Sequence, residues 1–463
     1  MSSLLIENAG AVVTMNESRE ILYGVDILCD DGVVKRISRS GKSDPHSDKA
    51  KRPVVADNVI IADGMIVYPG LVNTHHHLYQ AMTRNIGRIQ HLKLFDWLKA
   101  LYEVWKGIDE EVVYYGALVG LGELLKSGCT TCCDHHYVFP KGAGHRLIDA
   151  ELEAAAELGI RMLACRGSMS RGQKDGGLPP DDLVEDIDDI LRDSVRLIDE
   201  YHDLSATAMR RIALAPCSPF SVSDDLMRET TAIARSKGVK LHTHLAETLD
   251  EESYCLERTG MRPLAYMESL GWLGPDVWFA HGVHFNDDEL NLLAETSTGI
   301  AHCPTSNMKL ASGRARLEAF LELGVPVGLG VDGSASNDCS NMISEIRAGY
   351  LLHRLEIGHS APGPEDILQV ATAGGAAIIG WPELGRIAVD HPADMFIIDA
   401  SKFDWVGAEF DPAAALAVLG CQRPVSFTIV AGKVVVSGGE LVNVDEVLLA
   451  KQARKISRRL CGR

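Results

Sequence analysis

Short apolar runs alternate along the chain with longer segments of helical spacing, and this alternation predicts a fold before any chemistry is considered. The first 66 residues read as short strands. Residues 21–28 are apolar enough for one, Asp30-Asp31-Gly32 is a turn signal, and residues 33–37 return as its partner. The stretch 38–52 is polar and predicts a surface loop. Strand patterning returns at 393–399, 425–430 and 432–437, so a sheet built from both chain ends would explain why neither piece is long enough alone. Residues 445–460 have helical spacing, with Lys and Arg in the last turns.

Between these ends, apolar strand candidates finish near Asn73, Asp134, Gly167, Cys217, His244, His281, Cys303 and Asp332. Helical patterns separate them, most clearly at 111–125 and 287–296. Strand–helix alternation implies a parallel sheet, and eight repeats favour closure into a barrel. The expected fold is therefore α/β. A (β/α)8 TIM-like barrel spanning residues 67–384 is inserted into a small β-sandwich made from residues 1–66 and 385–463, the latter ending in a helix.

Composition narrows the partners. Of 463 residues, 46% are hydrophobic and 24% charged, which is ordinary for a globular protein. The formal charge of −19 (45 basic against 64 acidic residues) argues against nucleic acid and anionic membrane as partners but does not disfavour a small neutral molecule. The first residues lack both a basic start and a long apolar core, so no secretory signal is expected, and no uncharged apolar run reaches membrane-spanning length. The 11 cysteines are scattered, without paired CxxC motifs, and fit buried reduced thiols in a cytoplasmic protein.

The candidate chemistry sits at the predicted strand ends. The apolar run 65–68 leads through Pro69-Gly70 to His75-His76-His77. On a strand, residues two apart point the same way, so His75 and His77 can grip one ion. Later strand ends supply His244 with Glu247, then His281, then Asp332. Three imidazoles and a carboxylate suit one zinc or iron ion with a position left for water. Glu247 is placed to shuttle protons without binding metal. His242 shares a face with His244 and is the rival ligand, although a hydrogen-bonded core histidine fits its deeper position better. Gln80 offers a donor and an acceptor that match a lactam edge. Tyr79, Trp97 and His136 are candidates to cover a flat ring, and Arg84 suits a structural ion pair.

The order HxH, HxxE, His, Asp, with Ala301-His302-Cys303-Pro304-Thr305-Ser306-Asn307 before the last, resembles the amidohydrolase superfamily. Within it the chain is similar to the mononuclear deaminases and chlorohydrolases acting on guanine, S-adenosylhomocysteine and s-triazines. Residues 73–80 look most like 8-oxoguanine deaminases. The two-metal members generally bridge their ions with a carbamylated lysine on the fourth strand. The corresponding stretch here, residues 211–217, has no lysine, so the resemblance implies one active-site metal. It further implies zinc on His75, His77, His244 and Asp332, with Glu247, His281 and Asp332 catalytic. A water attacks the ring carbon carrying an exocyclic amine, Glu247 passes a proton to the adjacent ring nitrogen, and ammonia leaves. Gln80, Tyr79 and His136 are the expected substrate contacts, the substrate a heterocyclic base, and the assembly a homo-oligomer.

Overall fold

The computed structural model describes residues 3–40, 56–421 and 423–462, so most of the polar stretch 38–52 falls outside them. Five strands come first: β1 (Leu4–Val13), β2 (Ile21–Asp30), β3 (Val33–Arg39), β4 (Asn58–Ile61) and β5 (Met65–Pro69). Eight more follow: β6 (Leu71–Asn73), β7 (Cys129–His136), β8 (Arg161–Ser168), β9 (Arg210–Pro216), β10 (Lys240–Leu245), β11 (Val277–His281), β12 (Gly299–His302) and β13 (Val327–Leu329). The chain closes with β14 (Met395–Asp399), β15 (Phe427–Val430), β16 (Lys433–Ser437) and β17 (Glu440–Leu441), then the helix Glu446–Leu460, capped at its start by Asp445.

Strands β6 to β13 lie in sequence order in one parallel sheet, each paired with the next. Helices connect most of them, including Glu110–Lys126, Leu147–Leu158 and Asp287–Thr296. The seam between β13 and β6 is bridged by Thr74 N donating to Leu329 O (3.0 Å) and Asp332 N donating to His75 O (3.0 Å). Two glycines permit that closeness. A Cβ on Gly328 would lie 2.5 Å from Thr74 Cγ2, and one on Gly330 would lie 2.8 Å from His75 Cβ. The result is a TIM-like barrel, nearly closed, whose seam brings His75 and Asp332 together.

The chain ends build a second sheet, nine-stranded among the described residues, in the order β17-β16-β15-β14-β5-β1-β2-β3 with β4 also on β1. The two ends meet where β5 pairs antiparallel with β14. Its own core includes Leu4, Ile6, Ile27, Val34, Val67 and Met395. One boundary differs from expectation. The apolar run 65–68 does not lead into the barrel as its first strand; it is β5, held between β1 and β14. Pro69-Gly70 ends it, and the barrel begins at Leu71. Eight of the 11 cysteines are buried. Among the described residues no helix is long and apolar enough to cross a membrane.

Candidate metal centre and active site

The histidine pair lies just past its strand. β6 ends at Asn73, and residues 74–77 run on in irregular extended form before a short helical turn, Leu78–Thr83. His75 and His77 still converge because backbone partners on both sides fix the segment: Thr74 N and Asp332 N at the seam, and His135 N donating to His76 O (2.8 Å).

Hydrogen bonds set the tautomer of each imidazole, because a carbonyl can only accept. His77 Nδ1 donates to His135 O (2.7 Å) and His244 Nδ1 to Cys217 O (2.7 Å). His242 Nδ1 donates to Trp278 O (2.9 Å), so its Nε2 accepts from His75 Nδ1 (2.8 Å). All three of His75, His77 and His244 therefore carry their free lone pair on Nε2. These atoms face one another and Asp332. His77 Nε2 is 3.1 Å from His244 Nε2, and Asp332 Oδ1 lies 3.4 Å from His75 Nε2 and 3.3 Å from His77 Nε2. His75 Nε2 is buried without any hydrogen-bond partner. Four donors held tetrahedrally about 2.1 Å from one ion would stand about 3.4 Å apart, so the set fits a metal ion. Burial keeps the three imidazoles neutral by lowering their proton affinity, that of His75 and His244 well below the ordinary range. His242 is not a ligand in this arrangement; it is the buried partner that fixes His75.

Both carboxylate oxygens of Asp332 are anchored too. Gly333 N donates to Oδ1 (2.6 Å), while Ser306 Oγ (2.5 Å) and Ser336 Oγ (3.1 Å) donate to Oδ2. Ala246, His281 and Asp332 all have positive φ (53°, 74° and 62°). Left-handed backbone at three non-glycine positions costs energy, and its clustering beyond β10, β11 and β13 marks the barrel mouth as the strained, functional end.

Glu247 and His281 flank the cluster. Glu247 Oε2 stands 3.6 Å from His281 Nε2, and Asn307 Oδ1 accepts from His281 Nδ1 (2.9 Å). Burial pushes the Glu247 carboxyl above its usual range. For His281 burial acts downward, but the neighbouring Glu247 and Asp332 outweigh it and raise the imidazole. A carboxyl that holds a proton more readily and an imidazole that charges more readily suit proton transfer.

A cavity opens over this cluster, touching His77, His244, Glu247, His281 and Asp332 at its base. Gln80 and Ser336 line one side, and Trp97, Leu98, Tyr137 and Phe220 give it apolar walls. Gln80 Oε1 is buried without a partner. Tyr79 and His136, expected against the substrate, do not line this space. Tyr79 packs behind it between Trp105 and His136, both with ring centroids 5.2 Å away, and His136 turns outward from the barrel. Alternation along β7 is the reason: His135 faces in toward His75 and His244, so His136 must face out. Tyr137, two residues beyond His135, takes the cavity position. Arg84 pairs with Glu123 at 2.7 Å. Sequence reasoning missed Ser306 and Asn307 as the partners of Asp332 and His281; both sit one turn past β12, within the segment 301–307.

A model of the amidohydrolase family matches residues 66–435. The chain belongs to this family. As an amidohydrolase it is similar to the 8-oxoguanine deaminase of Pseudomonas aeruginosa PAO1, with 46% identity over 427 residues covering 91% of each chain. It is also 37% identical to the hydroxydechloroatrazine ethylaminohydrolase of Pseudomonas sp. strain ADP, over 99% of this chain and 96% of that one. The crystal structure of atrazine chlorohydrolase from Arthrobacter aurescens TC1 complexed with zinc superposes with a TM-score of 0.92 at 31% identity, covering 98% of this chain and 100% of that one. Hydrolysis of a heterocyclic substrate is thus the shared theme of its relatives.

Proposed function

We propose that this amidohydrolase is a zinc-dependent deaminase of an oxidised purine base, converting 8-oxoguanine and water to urate and ammonia. The observation that carries this reading is the cavity itself. It is walled by aromatic and aliphatic groups, and its polar groups converge from two sides. The resemblance to the Pseudomonas 8-oxoguanine deaminase over 91% of both chains supports it.

His75, His77, His244 and Asp332 would hold the zinc, which when bound supplies Lewis acidity that lets a water ionise near neutral pH. Gln80 presents an unpartnered carbonyl and an amide to the lactam edge, where one donor and one acceptor are required. Tyr137 and Trp97 border the flat ring. The oxygen nucleophile adds to the ring carbon that bears the amino group. Glu247 delivers a proton to the adjacent ring nitrogen, and His281 hydrogen-bonds the oxygen as charge develops there. The C–N bond then breaks, the amine takes a proton as it leaves, and the ring carbon becomes a carbonyl. A homo-oligomer in the cytoplasm is part of the same proposal.

Steady-state release of ammonia from 8-oxoguanine, guanine and isocytosine, and of alkylamine from hydroxyatrazine, by the zinc-loaded protein tests it. Turnover of 8-oxoguanine well above the other three is the expected result. Preference for hydroxyatrazine would instead place the chain with the triazine hydrolases and refute the purine assignment.

A further inference from the structure

A second set of metal-ligating side chains lies on the outer face of the barrel wall. Asp134 and His136 alternate with the inward-facing His135 on β7, so both point outward, toward the helix Leu147–Leu158 that carries Glu151. All three side chains are fully buried. Their ligand atoms lie within 4.8 Å of one another, as do those of the cluster at the mouth.

What distinguishes this group is that, among the described residues, its atoms accept from one donor alone, Leu78 N. His136 Nε2 donates to Val138 O at 3.0 Å, so Nδ1 carries a lone pair, and that lone pair faces Glu151 Oε1 at 2.9 Å. Asp134 Oδ1 accepts from Leu78 N (2.6 Å), but Asp134 Oδ2, His136 Nδ1 and both oxygens of Glu151 have no hydrogen-bond partner. No neighbouring cation supplies the balance. Arg166 is engaged by Glu185 (2.7 Å) and Asp193 (2.9 Å), and His76 Nδ1 stays 4.0 Å from Asp134 Oδ1 while its Nε2 is engaged with Ser340 Oγ (2.8 Å). Two carboxylates and an imidazole lone pair thus converge in a fully buried site. Buried acceptors left like this are costly. Two ligands at right angles about 2.1 Å from one ion stand about 3 Å apart, which is the spacing of His136 and Glu151.

We propose that Asp134, His136 and Glu151 form a second metal site, for a divalent transition ion such as zinc or manganese, separate from the ion at the barrel mouth. One imidazole with two carboxylates is a donor set for such ions. The site's place in the fold gives it a task. Asp134 also holds Leu78 N, the residue after His77, so an ion there fastens the segment that carries two mouth ligands to the wall and to an outer helix. The unoccupied alternative is a carboxyl proton shared within the trio, and burial does raise both carboxyls, Glu151 to about 8.

Metal analysis of protein produced with zinc, and separately with manganese, decides between them. Two equivalents per chain are expected for the wild type, one for Glu151→Gln, and one for His77→Ala, in which only the mouth site is damaged. Crystals of the wild type should show an anomalous difference peak between Asp134, His136 and Glu151; this arm needs no variant to fold. A single equivalent in the wild type, unchanged in Glu151→Gln, with no peak at the trio under either metal, would overturn the proposal in favour of the shared proton.

Discussion

The two faces of β7 make an instructive pair. On the inner face, three imidazoles and Asp332 converge, and every atom not aimed at the centre is already committed. Three histidine Nδ1 atoms are tied to carbonyls directly or through His242, and three donors hold Asp332. On the outer face, Asp134 and His136 are anchored by backbone groups, but Glu151 faces only the lone pair of His136 Nδ1 and the carboxylate of Asp134. The inner cluster is preorganised by backbone groups at several strand ends, and it opens into a cavity. The outer cluster is fully buried and rests on one strand and one helix. The lesson is that the same ligand chemistry serves reaction or architecture according to which side of the barrel wall it occupies.

Damage to the inner face should do most. His77→Ala removes one ligand and leaves the others facing each other without a counter-ion; zinc at the mouth and ammonia release should both fall by more than about a thousandfold, since removing any member of a unit that acts together costs most of its effect. Metal analysis beside the assay checks both. A quieter change sharpens the claim about tautomers. His242→Phe keeps a flat ring but frees His75 Nδ1, and zinc affinity should drop about 10- to 100-fold as for other outer-shell partners. Competition against a chromogenic chelator measures it, and an unchanged affinity would mean that His242 does not orient its neighbour.

The smallest effect belongs to the outer face. In chelator-treated protein Glu151 has its affinity for a proton raised by burial from 4.5 to about 8. A carboxyl raised on folding contributes stability that is fully present below about pH 4.5 and is lost as pH climbs through about 8. Denaturant midpoints of chelated protein should therefore fall between pH 5 and pH 8.5, and the fall should be shallower in chelated Glu151→Gln, which cannot ionise. Reloading with metal should flatten the wild-type curve, because ligation favours the ionised carboxylate more as pH rises.

Much of the fold was readable from patterning alone. The strand ends expected near Asn73, Gly167, Cys217, His244, His281 and Cys303 fall within one residue of the observed ones, while those near Asp134 and Asp332 lie two and three residues from theirs. Apolar runs bounded by turn residues mark buried parallel strands well, but not their last residues. The run 65–68 was misplaced since an apolar strand entering a small sheet and one entering a barrel look alike; only the pairing with β1 and β14 separates them. The convergence of His75, His77, His244, Glu247, His281 and Asp332 followed from their positions at strand ends. Side-chain direction was harder. His135 and His136 are adjacent, and which one faces in depends on the register of β7 with its neighbours, not on local sequence. Once His135 is known to face in, Tyr137 two residues on follows it to the cavity and His136 falls outside. Ser306 and Asn307 escaped notice because their partners, Asp332 and His281, come from other strands.

The claim that Glu247 moves protons beside an ion it does not hold is tested most directly by one comparison. Glu247→Gln and wild type would be brought to the same measured zinc content and assayed for ammonia release from 8-oxoguanine. The expected result is equal zinc with kcat reduced about 10²- to 10⁴-fold in the variant, the range for losing a general acid–base. Full activity in the variant at equal zinc would contradict the account.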